Sequence, residues 1–499
     1  MPSPIVINAV ALRDGLVPDP NNASSTFNEF PSFPRIDQSS SFLAFRGQSQ
    51  PVWNVLDSTG AIVEKVGTAG IYGTPSGSLT TAMTQLGAVP VFSSFSVPNT
   101  VAGTKFDQFP GAPSPTSVTQ WLYTPLWQLV RQSWTVFKGN WTDNSNPLNP
   151  IGRTGVYFRE LLANGGKAPV QLIADSQTLI PGTSTAFGST APPSAAGNKA
   201  VFLGLDNEES PTLGGIYLSN LTSKPTNIKP IVELGDLAKL VKDANGVTRI
   251  GEGLSFSSKP SLIFGSTDTV GYWGSWGTDT FTQTVAIPSD GRKELRDYAL
   301  LLDDQQDDGE VNGSADGNFE FEVPVNQGIF LTNVNTGVTR LVAQTGDTDG
   351  NGTFDADEFS TFLYWNFSGK VPGSTDEEDG EFARWRSAQF IAVDGQQVAF
   401  KATRGPNVDS ITGLYVQRAN KAPIQTVVET GMNGTILDPE AIVPGTVPGT
   451  DIPLPITSVG LERDGFRGNL LAFNASMANE SAGWAGIYGI ESNQIPITI

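Results

Sequence analysis

A triplet of glycine, an aliphatic residue and an aromatic recurs six times along this chain. It reads Gly70-Ile71-Tyr72, Gly155-Val156-Tyr157, Gly215-Ile216-Tyr217, Gly328-Ile329-Phe330, Gly413-Leu414-Tyr415 and Gly486-Ile487-Tyr488. Each follows a second motif of apolar-x-aromatic and then a small or polar residue: "FLAFRG" at 42–47, "WTVFKG" at 134–139, "KAVFLG" at 199–204, "TVGYWG" at 269–274, "QVAFKA" at 397–402 and "LLAFNA" at 470–475. Alternation and a high Val, Ile, Phe and Tyr content mark both motifs as strands. A third strand follows most triplets, as in "KAPVQLIAD" at 167–175, "KPIVELGD" at 229–236, "TRLVAQTGD" at 339–347 and "PIQTVVETG" at 423–431.

Successive triplets lie 85, 60, 113, 85 and 73 residues apart. The shortest interval fits one four-stranded blade, and the longer ones imply insertions. A β-sandwich or a string of small β domains could also use such strands. Two motifs in fixed order, six times over, instead predict an all-β, six-bladed β-propeller as a single domain over 1–499. The stretch "SPIVINAVALRDGLVPDPNNASSTF" at 3–27 resembles "APVQLIADSQTLIPGTSTAF" at 168–187, which follows a triplet. The chain therefore opens in mid-repeat, and the ring is expected to close with N- and C-terminal strands in one blade, leaving no open edge.

On these motifs the chain resembles bacterial surface or secreted β-propeller repeat proteins, whose blades carry an "AFRG … GIY … I-P-G … F" signature. The resemblance covers nearly the whole length through short motifs. It implies the fold and carries over no catalytic residue. The acidic signature run of the calcium-dependent propeller phytases is not found here.

Three insertions are expected, at about 99–131, 288–320 and 346–382. In the first, "FDQFPGAPSPTSVTQWLYTPLWQLV" reads as a Pro/Ser loop with a short helix at its aromatic end. The third holds "DTDGNGTFDADE" at 347–358, which matches a twelve-residue calcium loop slot by slot. Calcium is a hard cation that takes six to eight oxygens. Asp347, Asp349 and Asn351 would offer side-chain oxygens, Thr353 its carbonyl, Asp355 an oxygen directly or through water, and Glu358 both carboxylate oxygens. Gly352 permits the sharp turn, and Phe354 is the apolar anchor. A sensor needs helices on both sides and a partner hand. Here "TRLVAQTG" upstream reads as a strand, "EFSTFLYWNF" downstream has room for one or two helical turns, and no second complete loop occurs. The loop is therefore read as a structural staple for Ca2+.

The run "DDQQDDGEVNGSADGNFE" at 303–320 is either a solvated acidic loop or a second calcium site of another geometry, and "DEEDGE" at 376–381 reads as a solvated charge run. Trp273, Trp276, Trp121, Trp127 and Trp385 are read as blade packing rather than as sugar-stacking platforms.

The chain has no Cys and no His, which excludes disulfides, Cys- or His-ligated metals and Ser-His-Asp or Cys-His catalysis. A net charge of -20, from 50 acidic and 30 basic residues, repels nucleic acid and anionic lipid and attracts divalent cations. No run of 18 apolar residues occurs, so no membrane insertion is expected. "MPSPIVINAV" lacks the regions of an intact signal peptide, yet the resemblance implies an extracellular or cell-surface place. The functional expectation is a calcium-stabilised structural or adhesive platform that binds another protein or a surface polysaccharide, leaning away from an enzyme. The alternative is a calcium-dependent hydrolase of phosphate or lactone esters, marked by inward-facing Asp, Glu and Asn near the axis. A carbohydrate-binding module is a third reading.

Overall fold

A computed structural model describes residues 10–494 except 19–24, 39–41, 50–52, 57–58, 60, 67–68, 76, 89, 125, 162–167, 223–227, 242–245, 262–264, 288–292, 347–357, 370, 372–382, 406–409, 444, 446–450 and 481. The chain is nearly all β, 54% strand, with six small sheets arranged as a six-bladed β-propeller. Each blade is an antiparallel meander running outward from the axis. Blade three shows the plan: Ser194–Ala196 innermost, then Lys199–Leu205, Gly214–Asn220 and Lys229–Glu233. The inner strands of the other blades are Arg35–Ile36, Ser114–Thr124, Ser255–Ser261, Ile391–Asp394 and Ile456–Arg467. Each touches the next, and Arg35–Ile36 packs against Ile456–Arg467, so the ring is closed by segments near the two ends of the sequence. The sixth sheet has three described strands, and the outer strand expected from residues 3–9 lies outside the described residues.

The two motifs are the second and third strands of every blade, and their register explains their composition. Gly47 faces Gly70, Gly139 faces Gly155, Gly204 faces Gly215 and Gly274 faces Gly328; in blades five and six Ala402 faces Gly413 and Ala475 faces Gly486. Two residues along, on the same face, the aromatics meet: Phe45 with Tyr72, Phe137 with Tyr157, Phe202 with Tyr217, Tyr272 with Phe330, Phe400 with Tyr415 and Phe473 with Tyr488. Their ring centroids lie between 5.6 and 5.9 Å apart in all six blades. Residues i and i+2 of a strand share a face, so the tyrosine lies back over its own glycine. A Cβ on Gly70, Gly155, Gly413 or Gly486 would come 2.6 or 2.7 Å from the hydroxyl of that tyrosine.

In blades one to four an apolar side chain from the segment before the inner strand wedges into the room over the second strand's glycine. Phe27, Phe106 and Phe187 take this place over Gly47, Gly139 and Gly204, and Leu237 lies over Gly274. In blade five Phe359 meets the ring pair Phe400 and Tyr415 edge-on, at 5.5 and 4.8 Å. The pairing with the outer strand slips by one residue between the aliphatic and the aromatic of the triplet in blades one to five. Such bulges add local twist, and their recurrence gives successive blades the same shape.

Gly215 is the tightest of the triplet glycines, since a Cβ there would lie 2.1 Å from the Val232 carbonyl oxygen and 2.7 Å from Glu233 Cα. Both are backbone atoms of the outer strand and have no rotamer through which to yield. Gly215→Ala is expected to destabilise the chain by about 1–3 kcal/mol, the usual range for overpacking. Urea unfolding measures it, and an unchanged midpoint would sink this account of the triplet.

The insertions differ from their expected form. The first is strand: Ser114–Thr124 and Leu126–Asp143 form one long hairpin, with no helix at its aromatic end, because β-branched and aromatic residues dominate "SVTQWLYT". The second lengthens the middle hairpin of blade four, Gly265–Ala286 with Asn318–Asn333, and caps it with a helix, Lys293–Asp308. Asp303, Asp304, Asp307 and Asp308 are thus helical and not in a loop; "KELRDYALLLDDQQDD" is rich in strong helix formers. In the third, Tyr364–Ser368 is a strand paired with Arg384–Ala388, where the sequence left room for one or two helical turns at most. Its Tyr, Trp and Phe alternate against a partner strand and a helical face has nothing to pack on.

Candidate functional site

The structure places chemistry-bearing side chains in two regions, an outgrowth on blades four and five and a polar hub on the axis.

The run 347–358 falls between strand Thr339–Gln344 of blade four and Phe359. Asp347, Asp349, Asn351, Thr353 and Asp355 lie outside the described residues, as does "DEEDGE" at 376–381. Both ends of the loop are described. On the near side, strand Thr339–Gln344 runs into Gly346, whose N–H donates to the Phe359 carbonyl at 2.9 Å. On the far side, Glu358 is buried, 1% exposed, directly before the wedge Phe359. The twelve residues therefore occupy the place between a blade's outer strand and the next blade's wedge. Blade three fills that place with "TLIPGTSTAF" at 178–187, stitched by Ile180 N–H to the Thr185 carbonyl at 2.8 Å. A strand on one side and an irregular run from Phe359 to Leu363 on the other agree with the absence of flanking helices expected from sequence.

Beyond Leu363 the hairpin Tyr364–Ala388 leans on the extended hairpin of blade four. Trp365 stacks on Phe321 at 3.8 Å and 5°, and Trp385 meets Phe319, Phe321 and Phe367 at 5.3, 5.5 and 5.0 Å. Tyr298 of the helix reaches Phe367 at 6.1 Å. Trp385 therefore joins two insertions. Trp273 and Trp276 are core, 4% and 9% exposed, as expected, and Trp273 donates its indole N–H to Gln327 Oε1 at 3.2 Å.

The axial hub was not foreseen. Asp464, on the inner strand of blade six, is 3% exposed and bonds to side chains of four other blades. Ser114 Oγ of blade two donates to Asp464 Oδ2 at 2.9 Å, and Ser194 Oγ of blade three and Ser255 Oγ of blade four donate to Oδ1 at 2.6 and 3.4 Å. Arg467 Nη2 donates to Oδ1 at 2.6 Å, and Arg35 of blade one pairs with Oδ2 at 3.6 Å. Blade five joins through the Val393 carbonyl, which accepts from Arg467 Nη1 at 3.0 Å. The serines also link neighbours in a circle: Ala195 N–H donates to Ser114, Phe256 N–H to Ser194 and Val393 N–H to Ser255.

Local backbone makes this reach possible. The register of Ile456–Arg467 with Leu470–Ala478 breaks between Leu461 and Phe466, and within that bulge Asp464 has φ +64°. Aspartate tolerates the left-handed region better than most residues. The bulge thus turns one carboxylate inward at a level where the inner strands lie within side-chain reach of one another. Burial pushes the Asp464 carboxyl up, and the charges of Arg467 and Arg35 with the Ser194 and Ser114 hydroxyls more than offset it, holding it below the ordinary carboxylate range.

Other buried acids near the axis are also matched: Asp37 by Arg131 at 3.3 Å and the Ser117 hydroxyl, Asp268 by Lys199 and Ser258, and Asp394 by Asn469 N–H at 2.7 Å. A hydrolytic metal centre would want several acids facing one unfilled space. The described axis instead presents carboxylates that are each matched, with Asp464 between Arg35 and Arg467 and Glu462 also paired with Arg35. A signal for the hub did exist in the sequence, since Pro113-Ser114 and Pro193-Ser194 repeat a Pro-Ser step at the start of the inner strands of consecutive blades.

No family model matches this chain, and no curated protein does. Solved structures do match, among them a puromycin hydrolase solved as a mutant complexed with PGG, at 10% identity and a TM-score of 0.24. The match covers 89% of this chain and 61% of that one, so the chain spans under two thirds of that protein's length. A likeness this slight has no bearing on the site.

Proposed function

We propose that this chain is a calcium-stabilised extracellular β-propeller that serves as a structural or adhesive binding platform in a surface layer or assembly, with Ca2+ held by Asp347, Asp349, Asn351, Thr353, Asp355 and Glu358. The observation that carries the reading is the division of labour in the fold. The axis, where a propeller hydrolase would keep its metal and acids, is spanned by a hydrogen-bonded, charge-matched hub. The elaboration lies instead on one outgrowth, built from the lengthened hairpin of blade four, its helix, and the hairpin of blade five. The residues that flank the run 347–358, Gly346 and Phe359, are joined by a backbone hydrogen bond next to that outgrowth. Another protein or a surface polysaccharide is the partner class.

Melting in millimolar calcium and again in chelator tests the reading, with phosphate ester, phosphodiester and lactone substrates screened in both buffers and a glycan array probed in calcium. A ligand present at a hundredfold its Kd stabilises by about 2.7 kcal/mol, so calcium is expected to raise the unfolding free energy by about that much. Asp347→Ala and Glu358→Ala are expected to melt lower and to respond no longer to chelator. No turnover is expected; calcium-dependent turnover of an ester would overturn the platform reading in favour of a hydrolase. If either variant melts like the parent in both buffers, the loop is no staple.

A further inference from the structure

We infer that the chain holds a second Ca2+ at the C-terminal end of the helix Lys293–Asp308, bound by Asp303 and Asp307 of the helix and Asp316 of the segment that returns from it. One carboxylate oxygen of each lies within 4.8 Å of one from each of the others. Calcium takes its oxygens at about 2.3–2.6 Å, so ligands on opposite sides of one ion stand about 5 Å apart, and the three carboxylates fit a single coordination sphere.

Asp303 supplies the observation that points to a ligand. It is fully buried, 0% exposed. One of its oxygens, Oδ2, accepts the Gly317 N–H at 2.8 Å, and the other, Oδ1, is buried without a hydrogen bond of normal length among the described residues. A buried carboxylate oxygen left without a donor is costly, and the groups clustered with it, Asp307 and Asp316, are like charges.

The neighbouring acids show what a purely structural carboxylate looks like in this segment. Asp304 accepts from Asn312 N–H and Gly313 N–H at 2.8 Å, Ser314 N–H at 2.6 Å and the Ser314 hydroxyl at 2.9 Å, and so folds the returning segment onto the helix. Asp308 accepts from Glu310 N–H and the Asn312 side-chain amide at 2.9 and 2.7 Å. On the adjacent face Asp303 and Asp307 stand at i and i+4, where like charges repel. They also lie at the helix end that carries the negative pole of the backbone dipole, and no basic residue occupies the last turn. Two electrostatic penalties fall on the same carboxylates, and one divalent cation relieves both. An all-oxygen set on a glycine-bearing segment suits calcium, which tolerates irregular geometry, better than magnesium, which demands a near-ideal octahedron.

The site is independent of the loop 347–358, and the experiment keeps the two apart. Bound calcium is counted by equilibrium dialysis at neutral pH for the full-length parent, Asp307→Asn, Asp316→Asn, their double variant, and Asp349→Asn in the loop. Asp307 and Asp316 are exposed, so their variants are expected to fold like the parent. Either substitution should weaken one class of site at least tenfold. The double variant should bind one ion fewer than the parent, and Asp349→Asn should lose a different ion. In Asp349→Asn, calcium should also slow amide exchange over residues 309–317. If the double variant keeps the parent's stoichiometry and affinity, or the parent binds no calcium beyond what Asp349→Asn removes, the second site does not exist.

Discussion

Asp464→Ala is expected to destabilise the chain by about 3–5 kcal/mol, the range measured when one partner of a buried ion pair is removed and the other charge is left uncompensated. Two guanidinium groups depend on this carboxylate, and both belong to buried residues: Arg35 is 4% and Arg467 6% exposed. Arg35 keeps a second partner in Glu462 at 3.3 Å, on the half-exposed side. Arg467 keeps only the Val393 carbonyl among its described hydrogen bonds. The hydroxyls of Ser114, Ser194 and Ser255 lose their common acceptor at the same time. Because those serines belong to consecutive blades, the loss falls on the ring as a whole. A double-mutant cycle of Asp464→Ala with Arg467→Ala, read by urea unfolding, should return a coupling well above 1 kcal/mol. Strict additivity would mean that the hub is not a unit.

The hub also sets a pH dependence, with the sign as follows. The folded carboxyl titrates below its unfolded value of about 3.9. The unfolded state therefore takes up the proton first, and stability rises with pH. The contribution is fully present above about pH 4 and is lost as pH falls through the folded value. The parent should lose more stability on acidification below about pH 4 than Asp464→Asn does, which has no proton to gain.

Phe359→Ala is expected to cost about 3–5 kcal/mol, as for a large aromatic deleted from a packed core. Phe359 is 0% exposed and meets three rings edge-on or tilted: Phe362 at 5.4 Å, Phe400 at 5.5 Å and Tyr415 at 4.8 Å. Phe187→Ala in blade three should cost a similar amount, because Phe187 meets Phe202 and Tyr217 in the same way, at 5.9 and 5.2 Å. The two variants should part company over calcium. Phe359 follows Glu358 and accepts the Gly346 N–H, so removing its ring frees one anchor of the loop, and the calcium response of the melt should weaken. Phe187→Ala should retain that response. Equal responses in both variants would show that the wedge and the loop are not coupled.

The repeat was legible because it is local. A glycine that makes room for a tyrosine two residues on, and an aromatic partner on the adjoining strand, are constraints within some 40 residues of chain, and they recur with each blade. The spacing of oxygens in 347–358 is equally local. Both could be read without knowing where any other segment lies. The helix Lys293–Asp308 was hidden by its composition, since its acids suggested a solvated loop while its alanine, leucines and glutamines supplied the helix propensity. In "SVTQWLYT" and "FLYWNF" the presence of a partner strand decided between helix and strand, and periodicity in short apolar runs does not carry that information.

The sequence by itself determined the blade, the number of blades, the order of strands within them and the residue types suited to calcium, because each depends on neighbours a few residues away or on a repeated register. Only the tertiary structure decided what the axis contains. Arg35, Ser114, Ser194, Ser255, Val393, Asp464 and Arg467 come from six blades, and nothing within any one blade requires them. Closing the ring brings their strands within side-chain reach, and a bulge then turns Asp464 toward all of them. The pairing of a fully buried Asp303 with exposed Asp307 and Asp316 is of the same kind, since it depends on how the segment after the helix folds back upon it.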